Sequence, residues 1–201
     1  MNESQVPQPR IALLIDADNA PAELIDEILT ELSTLGVINI RRAYGNWTKS
    51  ALNGWQARLL EFAIRPMQQF DYSKRKNASD MAMTVDAMEL LYTEQPDAYG
   101  IVSSDADFTP LVMHLRAKGA AVYGFGAEQT PKPFVNACSR FLYLEALADA
   151  HAGDGAEGEG RAASGESPAG TEAQPPAQRV RVPTSKLRQD TTLMNLLRDA
   201  V

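Results

Sequence analysis

The chain has 201 residues, 44% of them hydrophobic and 22% charged, with a formal net charge of −7. That is room for one domain with a sizeable core plus an appendage, and no apolar stretch approaches the ~20 residues of a membrane span. One cysteine and two histidines exclude an internal disulfide and cannot furnish a structural zinc site, so any metal must be held by oxygen.

The elements follow in chain order. Ile11–Ile15 reads as a buried strand. Pro21–Leu35 has helical periodicity (Leu24, Ile25, Ile28, Leu29, Leu32), with Pro in its first turn and Gly36 where a C-cap would sit. Val37–Tyr44 is a second strand and Ser50–Ala63 a helix. Ile64–Phe70 is a weaker strand, interrupted by Pro66. Ala78–Thr93 is a helix, Tyr99–Val102 a strand, Phe108–Lys118 a helix closed by Gly119, and Ala121–Phe125 a strand. A short helix near Phe134–Cys138 and a strand near Phe141–Leu144 complete the block. Strands alternating with such helices predict an α/β fold, a three-layer, doubly wound and mostly parallel sheet over residues 10–150.

Residues 151–178 are Gly, Ala, Glu, Ser and Pro without a large apolar side chain, a composition that predicts a disordered linker. Residues 179–201 carry five basic and two acidic residues, and Leu187, Leu193, Leu196, Leu197 and Val201 give them an amphipathic helical pattern. Residues 1–150 carry 13 basic and 19 acidic residues, so charge neither excludes nor suggests a nucleic-acid partner. The lone Cys138 suits a reducing cytoplasm, and MNESQVPQPR lacks the basic-then-apolar order of a secretory signal. A cytoplasmic location is the expectation.

The chemistry lies in the acids. The strand Ile11–Ile15 ends in Asp16, Asp18 and Asn19, and the strand Tyr99–Val102 ends in SSDADF, residues 103–108. Carboxylates at the mouth of a buried strand repel one another and lose hydration unless something compensates. In a doubly wound sheet the C-terminal strand ends carry the site where strand order reverses, which would bring Asp16, Asp105 and Asp107 into one crevice. Asp80 opens the helix Ala78–Thr93 and makes a fourth candidate. Asp86 lies six residues on, turned about 120° away, and need not share the site. Clustered carboxylates without His or Cys describe a site for Mg²⁺ or Mn²⁺, whose natural chemistry is phosphodiester hydrolysis.

IDADN (15–19), the K-x-x-SD-x-x-x-x-x-D helix start (76–86), SSDADF and CSRFLYL (138–144) together resemble the NYN domain, a branch of the PIN-like ribonucleases. The resemblance covers roughly residues 10–147. It implies a metal-dependent nuclease, in the expected form an endoribonuclease acting on single-stranded RNA. Asp16, Asp80, Asp105 and Asp107 match its catalytic and metal-binding positions. Asn19 matches a supporting position, with Asp18, Ser104 and Asp86 grouped beside it. The tail PTSKLRQDTTLMNLLRDAV resembles the opening helix of an OST-HTH (LOTUS) module, an RNA-associated winged-helix domain.

Plainer readings stand beside these. Asp16–Asn19 can be an Asx turn capping the next helix, Asp80 an ordinary first-turn acid, and Asp105 or Asp107 a cap. Lys74, Arg75 and Lys76 read equally as a solvated loop or a phosphate clamp. Trp47 and Trp55 read as packing residues, with Trp47, in a strand-end loop, also a candidate base-stacking platform. His114 reads as structural and Cys138 as a small buried hydrophobe. Two other functions compete. One is a catalytically silent RNA-binding or scaffold protein. The other is a haloacid-dehalogenase-like phosphatase, whose D-x-D-x-T fails here because Ala20 stands in place of Thr.

Overall fold

The computed structural model describes residues 7–70 and 77–154. Six strands form one sheet: β1 (Arg10–Asp16), β2 (Val37–Gly45), β3 (Arg65–Gln68), β4 (Ala98–Val102), β5 (Ala121–Gly126) and β6 (Arg140–Tyr143). Their order is β3-β2-β1-β4-β5-β6 and every pairing is parallel. The helices are α1 (Ile25–Ser33), α2 (Trp55–Glu61), α3 (Ala78–Thr93), α4 (Thr109–Ala117), α5 (Lys132–Ala137) and α6 (Leu144–Asp154). This is the three-layer parallel fold that the alternation predicts. The expected helices at 21–35, 50–63 and 108–118 each open with a separate 3₁₀ turn, at Ala22–Leu24, Ser50–Leu52 and Ala106–Phe108.

Strand β1 explains the architecture. Ile11 to Ile15 are all buried, because helices cover both faces of the sheet. Ile11, Leu13 and Ile15 point into the core shared with α1, which supplies Ile25, Ile28 and Leu32. Ala12 and Leu14 point to the other face, against Met83, Ala87 and Leu90 of α3 and Leu111, Val112 and Leu115 of α4. Pro66 is tolerated because β3 is an edge strand.

Two expectations change. Gly36 is not needed for a left-handed cap. A Cβ there would sit 2.3 Å from the Pro9 carbonyl oxygen, so glycine serves the close approach of the strand entering β1. The left-handed cap is Gly119, at φ 96°, as the sequence suggests. The helix α6 was not expected at all, and it continues to Asp154, past the residue 151 at which the linker was to begin. Residues 155–178 of that linker and the amphipathic helix of 179–201 lie outside the described residues. Among the described residues no helix is long and apolar enough to cross a membrane.

Candidate active site

Strands β1 and β4 lie side by side, with Ile15 opposite Val102, and the connections from them leave in opposite directions along the sheet. That is the reversal point, where a crevice opens beyond the strand ends. Asp16 closes β1 and is 1% exposed. Its Oδ2 accepts hydrogen bonds from Asn19 Nδ2 at 2.8 Å and Ser103 Oγ at 2.9 Å. Its Oδ1 is buried and has no partner among the described residues. Burial pushes the Asp16 carboxyl up, the two hydrogen bonds oppose this, and the charges of Asp18 and Asp105 add to it.

Asp80, one turn into α3, is half-buried. Its carboxyl is pushed up to about 6, by burial first and then by the charges of Asp16, Asp105, Asp18 and Asp107. Four other carboxylates thus act on it from the ends of β1 and β4. Asp105 accepts the Asp107 N–H at 2.8 Å, capping the turn Ala106–Phe108, and its own N–H donates to Ser103 Oγ at 3.1 Å. Asp107 is exposed at the rim.

Asp18 is tied more firmly than its secondary place in the sequence reading suggests. It accepts from Ser79 Oγ at 2.7 Å and pairs with Lys49 Nζ at 3.4 Å, joining the turn after β1, the loop after β2 and the start of α3. The capping alternative for Asp16–Asn19 fails, since neither the turn Ala22–Leu24 nor α1 has a side-chain cap. Asp80 caps nothing either.

Two supporting assignments need correction. Ser103, not Ser104, holds Asp16; Ser104 Oγ accepts the Ala127 N–H at 2.9 Å and braces the next loop. Asp86 lies off the cluster. It takes hydrogen bonds from the Arg42 guanidinium and the Tyr44 hydroxyl, fastening α3 to β2. Burial, and then the Asp86 carboxylate, drive the Tyr44 phenol up. Ser103, Ser79 and Lys49 escaped the sequence reading, although Ser103 and Ser79 each sit directly inside a quoted motif. Lys74, Arg75 and Lys76 lie outside the described residues. His114 is on α4, its Nε2 3.3 Å from Tyr92 Oη, and Cys138 is buried with its thiol pushed up to about 11 by that burial. Neither is part of the cluster.

The donor set is all oxygen, and one buried carboxylate oxygen is unpartnered, which fits a hard divalent cation. The spacing is looser than a closed cage: among the described residues no three Asp, Glu, His or Cys side chains stand close enough to chelate one ion.

Comparison with known proteins bears on the fold and the family. Over 123 residues the chain is 35% identical to an uncharacterised protein of Methanocaldococcus jannaschii, covering 59% of this chain and 48% of that one. The chain therefore spans about half the length of that relative. The crystal structure of a protein of unknown function from Vibrio parahaemolyticus shares the fold, with a TM-score of 0.54 at 18% identity over 71% of this chain and 96% of that one. The NYN domain model matches residues 10–145, and the match does not reach the tail likened to an OST-HTH helix. PIN-like proteins of this kind are typically nucleases and usually use divalent metals, which supports a ribonuclease-type function. On residues 10–145, the chain belongs to the NYN domain family.

Proposed function

We propose that the protein is a metal-dependent endoribonuclease that hydrolyses phosphodiester bonds of single-stranded RNA, with Mg²⁺ or Mn²⁺, at the cluster of Asp16, Asp80, Asp105 and Asp107. The observation that carries the reading is the buried Asp16 carboxylate at the reversal point, one of whose oxygens has no partner among the described residues, with Asp18, Asp80 and Asp105 near enough for their charges to act on one another. Like charges gathered in a partly dry crevice destabilise the fold, and a cation relieves them. When bound there, a divalent ion neutralises the scissile phosphate and acidifies a water molecule.

The chain's own residues divide the remaining work. Asn19 and Ser103 fix Asp16 through Oδ2, and Oδ1 has no partner among the described residues. Ser79 and Lys49 anchor Asp18 and so fix the turn against the start of α3. Asp80 and Asp107 would serve as further ligands of the ion or orient the attacking water, and the half-buried Asp80 carboxyl, pushed up to about 6 without metal, is the one whose repulsion an ion relieves.

Labelled single-stranded RNA incubated with the full chain tests the reading. Cleavage with Mg²⁺ or Mn²⁺, and none with excess EDTA, is expected. Binding without cleavage in either ion would favour the silent RNA-binding alternative instead.

The acid cluster also sets a pH dependence. The folded Asp80 carboxyl titrates near 6 against an ordinary value of 3.8, so between these values the folded state holds more protons than the unfolded one. Stability from this group is fully present below pH 3.8 and is lost as pH rises through about 6. In metal-free buffer this group is expected to lower the melting temperature between about pH 4 and 6, and Asp80→Asn to flatten that fall. A parent whose melting temperature rises across the window would contradict the clustering.

A further inference from the structure

The loop that ends β2 runs from the carboxylates to a second feature. Lys49 Nζ reaches Asp18, and two residues back Trp47 lines a cavity of about 520 Å³. Two residues span at most about 7 Å between Cα atoms, so one short loop carries both the Asp18 partner and the cavity's aromatic side chain. The loop is clamped. The Trp47 N–H donates to Gln68 Oε1 at 3.0 Å, Gln68 Nε2 donates to Asn46 Oδ1 at 3.1 Å, and Asn46 Oδ1 also accepts from Thr48 Oγ1 at 2.6 Å. Gly45 makes room for Leu52: a Cβ there would meet Leu52 Cδ1 at 2.9 Å, with Ala17 Cβ and Trp47 Cζ2 at ordinary contact distances of 3.5 and 3.9 Å. Ala17, the residue between Asp16 and Asp18, and the ring thus both border the space above Gly45.

The cavity's other walls are Leu52, Leu59 and Ile64, and its polar groups are the amides of Asn53 and Gln56, both exposed. No hydrogen bond occupies either amide among the described residues, so each offers two donors and an acceptor. Trp47 Nε1 has no acceptor there either, and packing alone positions the ring. An aromatic face, apolar walls and two free amides make up the chemistry that recognises an unpaired base: stacking on the ring, hydrogen bonding along the base edge. The volume lies within the usual range for small-ligand sites.

We propose that this cavity receives one unpaired nucleobase of the RNA strand, next to the phosphodiester at the carboxylate cluster, with Trp47 stacking on it and Asn53 and Gln56 selecting among bases. The assignment rests on the ribonuclease reading for the strand's identity. It extends that reading from where the bond is cut to which sequence is cut.

The four ribonucleosides, which carry no phosphate, probe the cavity independently of metal and of cleavage. Titrated into the full chain with indole fluorescence as readout, one of them is expected to quench saturably and to bind at least about fivefold more tightly than the others. Gln56→Ala and Asn53→Ala, at exposed positions, are expected to weaken that binding by about five- to tenfold without lowering the melting temperature. Trp47→Phe is expected to abolish the signal, since only the buried Trp55 remains. In RNA cleavage, Gln56→Ala is expected to raise KM by a similar factor with kcat nearly constant. Linear quenching equal for all four nucleosides, or nucleoside binding unchanged in both amide variants, overturns the cavity assignment even if the parent cleaves RNA. Selective nucleoside binding by a parent that cleaves no RNA in Mg²⁺ or Mn²⁺ supports the cavity and overturns the nuclease reading.

Discussion

Asp16→Asn is expected to lose RNA cleavage by a hundredfold or more (~10²) while folding at least as well as the parent in metal-free buffer. The amide keeps the size of the carboxylate, so the packing at the end of β1 survives. Its oxygen still accepts from Asn19 or Ser103, and one charge leaves a buried position where Asp18 and Asp105 oppose it. What is removed is the unpartnered carboxylate oxygen that the proposed ion would use. The same variant separates binding from folding. A ligand held only by the folded state at a hundred times its dissociation constant adds about 2.7 kcal/mol, or roughly 5–10 °C in a domain of this size. Mn²⁺ is expected to raise the melting temperature of the parent by that order and to move Asp16→Asn much less. Parent-like cleavage by Asp16→Asn would refute the assignment of the cluster as the catalytic centre.

Asp86→Asn is expected to do the reverse. On the sequence alone this residue, turned away from Asp80, ought to matter little. In the structure it is 9% exposed and holds both the Arg42 guanidinium and the Tyr44 hydroxyl. Removing its charge strands a guanidinium whose side chain is only 21% exposed. Breaking such a pair costs about 2–4 kcal/mol, which corresponds to about 5–15 °C in melting temperature. Well below that melting point the variant is expected to cleave RNA at nearly the parent rate, because Asp86 touches none of the cluster. Tyr44→Phe removes only the neutral partner and is expected to lose about 1–2 kcal/mol. Equal melting of parent and Asp86→Asn would mean that α3 is fastened to the sheet by apolar contacts alone.

The reversal point was legible because it depends on burial and strand order. A run such as Ile11–Ile15 can only be a central strand, and acids following two such strands must meet if those strands are neighbours. Helix α3 was legible to the residue, since Ala78–Thr93 carries its apolar side chains through four turns. What was not legible is side-chain pairing across the chain. Ser103 and Ser104 are chemically identical neighbours, and only the direction of the backbone leaving β4 decides that the first reaches Asp16 while the second faces Ala127. Asp86 looked idle because its partners lie 42 and 44 residues away on β2. The end of α2 was hidden for a different reason. Ala63 takes a left-handed conformation at φ 50°, a position where glycine would have announced the turn.

The hydrogen bond between Ser103 and Asp16 bridges 87 residues, and this has a consequence for synthesis. At about 5–20 residues per second, a ribosome makes Asp16 roughly 4–17 s before Ser103. Throughout that interval β4 does not exist, Asp16 lacks one of its two tethers, and the acids of the SSDADF turn have not been made. On the proposed reading, a growing chain is inert toward the message that encodes it until β4 has been made. The cutting centre comes into being only after the second half of the sheet has been translated and docked, so the topology itself delays the hazard.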